Sequence, residues 1–134
     1  MKKTFDFLKS RTKVNFLSTL DNGRPSCRPF GDPVLYNDKI YILTQAHKNV
    51  ARQIAENNHV CIVAYDGEQW IRVNCELIDD SLNLKAKQAI INEFDWAEEA
   101  GYTLENPDFK TFYLANADAK IYDEDGNVIA EEKF

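Results

Sequence analysis

The sequence predicts a mainly β protein, one antiparallel barrel with helices added to it. Two observations carry this. Apolar residues alternate with polar ones over several short stretches ("NFLSTL", "HVCIVAY", "EQWIRVNCELI"), the period of strands with one buried face. These stretches are punctuated by tight-turn residues, Asp21-Asn22-Gly23, Asn37-Asp38-Lys39, Asp66-Gly67 and the run "EDGN". Asn, Asp and Gly tolerate the positive φ that two-residue hairpins demand.

The elements follow in order. "KKTFDFLKS" spaces Phe5, Leu8 and Phe7 for a short amphipathic helix. "KVNFLSTL" is a strand that turns at "DNGRP" into a returning strand "PSCRPFGDPVLY", which Pro29 and Pro33 bend or interrupt because each removes a ladder donor. "NDK" turns into "KIYILT". A helix is expected over 49–58, with Asn49 as its cap and Val50, Ala51, Ile54 and Ala55 inward. Two strands meeting at Asp66-Gly67 come next, then a second helix from about Ser81 carrying Leu82, Leu84, Ala86, Ala89, Ile90 and Phe94. Residues 95–108 are acidic and hold Gly101 and Pro107, so they read as loop with some helical content. "FKTFYLANADAKIYD" is a long strand and "VIAEE" a final short one. The total is six or seven strands and two or three helices.

With 134 residues, 44% hydrophobic and 28% charged, the chain is expected to form one domain over 1–134, long enough to bury roughly two thirds of its unfolded surface. A net charge of −6 argues against general nucleic-acid binding but leaves room for a small anionic ligand at a local cationic site. Cys27, Cys61 and Cys75 stand far apart with no CxxC pair; with no leader of the secretory kind, they point to a cytoplasmic protein and to thiols used in packing. Neither His47 nor His59 has a metal-ligand spacing to the cysteines, so no metal is expected.

Two constellations are candidates for chemistry. The junction "LTQAHKN" puts Thr44, Lys48 and Asn49 where a strand passes into a helix. Helix starts offer unpaired N–H groups and partial positive charge, so with Arg28 on a neighbouring strand they could seat a phosphate. The competing reading is an ordinary polar turn with solvated cations. In "GEQWIRV", Trp70 and Arg72 share one strand face while Gln69 and Ile71 share the other. An aromatic ring and an amide suit a planar ligand; the plainer reading is a core or interface tryptophan. There is neither a GxGxxG nor a P-loop, and no catalytic acid, base or triad is recognisable.

Four segments in order, "NFLSTLDNGRPSCRPFG", "KIYILTQAHKNVARQIAENNHVCIVAYD", "GEQWIRVNCEL" and "FYLANADAKIY", resemble the pyridoxamine 5′-phosphate oxidase-like flavoproteins with an FMN-binding split barrel. They are most similar to short bacterial members related to general-stress and nitroimidazole-resistance proteins. The resemblance implies a homodimer with FMN in clefts between protomers, and an oxidoreductase passing electrons from a reduced donor to a small-molecule acceptor. It places Arg28, Pro29, Phe30 and Gly31 along the flavin, Thr44, Lys48 and Asn49 at the phosphate, and Gln69 and Trp70 at the flavin held mainly by the other protomer. The segment that grips pyridoxal phosphate in the true oxidase has no counterpart, which argues against vitamin B6 oxidation. A non-catalytic flavin, haem or deazaflavin binder or redox sensor is the alternative.

Overall fold

The computed structural model describes residues 1–9 and 14–134. Lys13, which opens the first predicted strand, and Ser10, which ends the first predicted helix, lie outside them. The elements are α1 (Lys2–Leu8), β1 (Asn15–Asp21), β2 (Arg24–Phe30), β3 (Val34–Tyr36), β4 (Lys39–Gln45), α2 (Asn49–Glu56), β5 (His59–Tyr65), β6 (Trp70–Asp79), α3 (Leu84–Glu93), β7 (Phe109–Tyr122) and β8 (Val128–Lys133).

The eight strands form one antiparallel sheet in the order β2-β1-β5-β6-β7-β4-β3, with β8 also on β7. The expected strand over 25–36 is two. Its halves lie at opposite ends of that order, although only Gly31, Asp32 and Pro33 separate them. Three residues span little more than about 10 Å, so the sheet must curl until its two ends approach. This is how the barrel closes, and why eight strands stand where six or seven were expected. β7 serves two partners in turn: Tyr113 and the residues before it pair with β4, and residues 118–122 pair with β8. Asn116, at φ 49°, marks the change. The hairpin turns are as read, with positive φ at Asn22 and Gly23 and at Asn37 and Asp38.

Inward residues of β1, β4, β5, β6 and β7 build the main core, including Leu17, Ile42, Ile62, Ile71, Val73 and Phe112; α1 and α2 add Leu8 and Ile54, and Phe30 of β2 packs against it. A second cluster of Val34, Tyr41, Ala86, Ile90, Tyr102 and Phe109 lies where α3 packs on β3 and β4. β4 therefore has both faces covered, and Ile40, Tyr41 and Ile42 are all buried. β1, β5 and β6 keep the alternation of a one-sided sheet.

Some inward assignments change. Ala55 is exposed, and Gln53 takes the inward place instead. Leu82 and Leu84 stand outside at 96% and 56% exposure, ahead of a helix that starts only at Leu84. The stretch 95–108 is a run of turns. It is held by Trp96 stacked on Phe94 and by Tyr102 set edge-on to Phe109.

Candidate functional site

α2 is the element on which the site is built. It leaves the end of β4 and packs across to β1, spanning strands that the sheet order keeps apart. Arg28 and Lys48 were expected on neighbouring strands. In the sheet they are not neighbours, because β2 pairs with β1 and β4 lies between β7 and β3. It is α2 that connects the two regions.

The start of α2 differs from a capped helix. Lys48, not Asn49, is the cap residue, with extended backbone at φ −77° and ψ 148°, and no side chain caps the helix. The Lys48 amide is taken by the Gln45 carbonyl at 3.0 Å. The amides of Asn49 and Val50, which open the helix, have no backbone acceptor among the described residues. Thr44 is buried at the end of β4, while Lys48 and Asn49 are exposed. Lys48 pairs with no carboxylate among the described residues. The turn ahead of the helix is pinned from the residue just before β7: Asp108 accepts the His47 amide at 2.9 Å on one oxygen and contacts His47 Nδ1 at 2.6 Å through the other. The His47 hydrogen bond holds the Asp108 carboxyl below its ordinary range.

Arg28 turns inward on the same face as Phe30, and Phe30 packs on the core while Cys27 and Pro29 are exposed. Its guanidinium is fixed by four donated hydrogen bonds. Nη1 reaches the Leu17 carbonyl at 3.1 Å and Thr19 Oγ1 at 2.8 Å. Nη2 reaches Ser26 Oγ at 2.9 Å and Gln53 Oε1, on α2, at 2.7 Å. Thr19 in turn donates to the same Gln53 oxygen. Burial lowers the Arg28 pKa, opposed by the neighbouring Cys27 thiol. Gln53 was missed in sequence because a glutamine on a helix reads as solvated; the signal available was its inward place beside Val50 and Ile54.

Trp70 does face outward with Arg72, and Ile71 is fully buried behind them. Trp70 lies parallel to Tyr122 with ring centroids 4.2 Å apart, and the Arg72 guanidinium sits 4.9 Å from the Trp70 ring. The structure does not bring Gln69 and Trp70 to α2: Trp70 opens β6 facing outward with Arg72, and Gln69 sits just ahead of the strand. Two surface clefts, of about 420 Å³ across β1, β5 and β6 and about 600 Å³ beside the C-terminal half of α2, are lined by none of the predicted ligand residues. Phe30 and Gly31 line only a small internal void beside Asn15.

The cysteines divide. Cys75 is buried and desolvation pushes its thiol up to about 12; Cys61 is half-buried and also raised. Cys27 is exposed, so the packing role expected for all three does not hold for it.

The family whose sequence profile is described as pyridoxamine 5′-phosphate oxidase matches residues 1–100. The chain belongs to this family. No curated protein matches it. Among solved structures it is similar to a NimC/NimA family protein from Clostridium acetobutylicum, with 26% identity and TM-score 0.87 over 96% of this chain and 91% of that one. It shares the fold of general stress protein 26 from Bacillus anthracis, at 19% identity and TM-score 0.67 over 96% of each chain. It shares it also with a heme binding protein from Mycobacterium smegmatis, at 17% identity and TM-score 0.66 over 97% of this chain and 55% of that one. As a pyridoxamine 5′-phosphate oxidase family member the chain has the split-barrel architecture the resemblance implied. None of its described helices is long and apolar enough to cross a membrane.

Proposed function

We propose that this family member binds FMN at the start of α2, in a cleft completed by a second copy of the chain, and works as an oxidoreductase. The observation that carries the reading is an uncapped helix start at Lys48 together with an inward arginine, Arg28, that no carboxylate neutralises among the described residues. Such a place favours a dianionic phosphate, which can accept from the Asn49 and Val50 amides, the Thr44 hydroxyl and the Lys48 ammonium together. Pro29, Phe30 and Gly31 carry the chain on from Arg28 along the expected course of the flavin.

The outer sheet face supports the second copy. It shows Phe16 on β1, Tyr65 on β5 and Val128 on β8 at 42%, 60% and 49% exposure. Burying such a face in a two-fold dimer would bring Gln69 and Trp70 of the partner to the flavin.

Bound FMN would supply hydride and electron transfer. The chain's own residues would hold its phosphate, orient its ring and exclude water, and a small reduced donor and small acceptor would share the open side. The second reading, a haem or flavin binder without turnover, is favoured by the fold shared with the heme binding protein. The absorbance spectrum of the purified protein separates flavin from haem. Oxidation of NAD(P)H with a nitro compound as acceptor separates enzyme from carrier. A spectrum without flavin bands after FMN is added in excess would overturn the proposal.

A further inference from the structure

Two arginines near α2 are treated in opposite ways. Arg52, exposed on the helix, pairs with Asp21 and Glu56, both at 3.3 Å. Among the described residues Arg28, half-buried, hydrogen-bonds only to neutral oxygens: a backbone carbonyl, two hydroxyls and the Gln53 amide. A desolvated cation normally gains most from a carboxylate. The position best placed to provide one is residue 53, whose side-chain oxygen lies 2.7 Å from Nη2 on a residue only 3% exposed. It is glutamine. Its orientation is determined, since one oxygen takes both the Thr19 hydroxyl and the Arg28 N–H.

We propose that Gln53 is the positioning residue of Arg28: its neutral amide fixes the guanidinium on the flank of α2 while leaving the positive charge for an anionic or electron-rich part of the ligand. This rests on the flavin reading and adds a residue to it. Gln53 lies five residues beyond the Lys48 cap, about 7.5 Å along the axis. The two cations thus meet different parts of one ligand.

The test uses Gln53→Glu and Gln53→Met, compared with wild type for the urea midpoint without ligand and for FMN and riboflavin binding by flavin fluorescence. Gln53→Glu keeps the oxygen and the shape but neutralises Arg28. Its midpoint should equal or exceed wild type while FMN binding weakens roughly tenfold to a hundredfold, the loss of one charge-assisted contact. Gln53→Met removes the acceptor and should lower both midpoint and affinity. A merely structural glutamine would not separate the two readouts in this way. FMN binding unchanged in Gln53→Glu would overturn the inference, as would a midpoint as low as that of Gln53→Met. A wild type that binds no flavin would instead remove the flavin reading, and the order of midpoints would still decide whether Gln53 sets the guanidinium.

Discussion

Helices α1 and α2 begin in opposite electrostatic states. At the start of α1 the Glu132 carboxylate, reaching over from β8, accepts the Thr4 amide and hydroxyl at 2.7 Å each and the Lys3 amide at 3.3 Å, and meets the Met1 amine at 2.8 Å. Burial would raise the Glu132 pKa, but these partners together bring it down to about 2. At the start of α2 the corresponding place has a lysine and no acid. The chain fills one helix start with its own anion; at the other it supplies none among the described residues, and there the proposed phosphate would sit. α3 resembles α1 in kind, because Asn83 accepts the Ala86 amide at 3.0 Å.

The contrast can be broken by exchanging the chemistry. Lys48→Asp would give α2 the carboxylate that α1 has. FMN affinity should fall by more than about a hundredfold, since an attraction becomes a repulsion. Stability to urea should rise by about 0.5–1 kcal/mol, the value of an acidic cap. In the other direction, Glu132→Ala should cost about 2 kcal/mol by stranding the first amides of α1 and leave FMN binding alone; paired urea and FMN titrations check both. The sign of its pH dependence follows from a depressed carboxylate. Stability from Glu132 is fully present above the ordinary value of 4.5 and is lost as the pH falls toward about 2. The difference in unfolding free energy between wild type and Glu132→Gln should therefore shrink across that window.

Smaller effects sharpen the same comparison. Asn83→Ala should cost about 1 kcal/mol in a urea melt, a cap lost without consequence for ligand. Asp108→Asn releases an exposed pair and should leave the urea midpoint close to that of wild type. It frees the turn that precedes Lys48, so FMN should weaken only severalfold by fluorescence titration.

Much of this could be read from residues in a row. Turns were legible because positive φ selects Asn, Asp and Gly locally, and Asn22-Gly23 and Asn37-Asp38 show it. Inward and outward faces of β1, β5 and β6 were legible because one side of the sheet is uncovered. The placement of β2 and β3 at opposite sheet ends was not, since nothing in Gly31-Asp32-Pro33 encodes which partner a strand takes. Within the candidate site, Arg28 and Lys48 could be nominated, but not the element that relates them. Gln53 is buried for the sake of Thr19 and Arg28, contacts that exist only after α2 crosses to β1. Asn116 escaped notice for a similar reason: its positive φ serves a change of partner in the middle of a strand.

The central claim is that the start of α2 is reserved for a phosphate. The direct measurement is the ratio of FMN to riboflavin affinity in wild type and in Lys48→Ala. Wild type should prefer FMN strongly. Lys48→Ala should weaken FMN roughly tenfold to a hundredfold, about 1.5–3 kcal/mol, and leave riboflavin nearly unchanged, so that the preference collapses. Equal losses for the two ligands, or no loss for either, would contradict the account and return residues 44–49 to an ordinary polar turn.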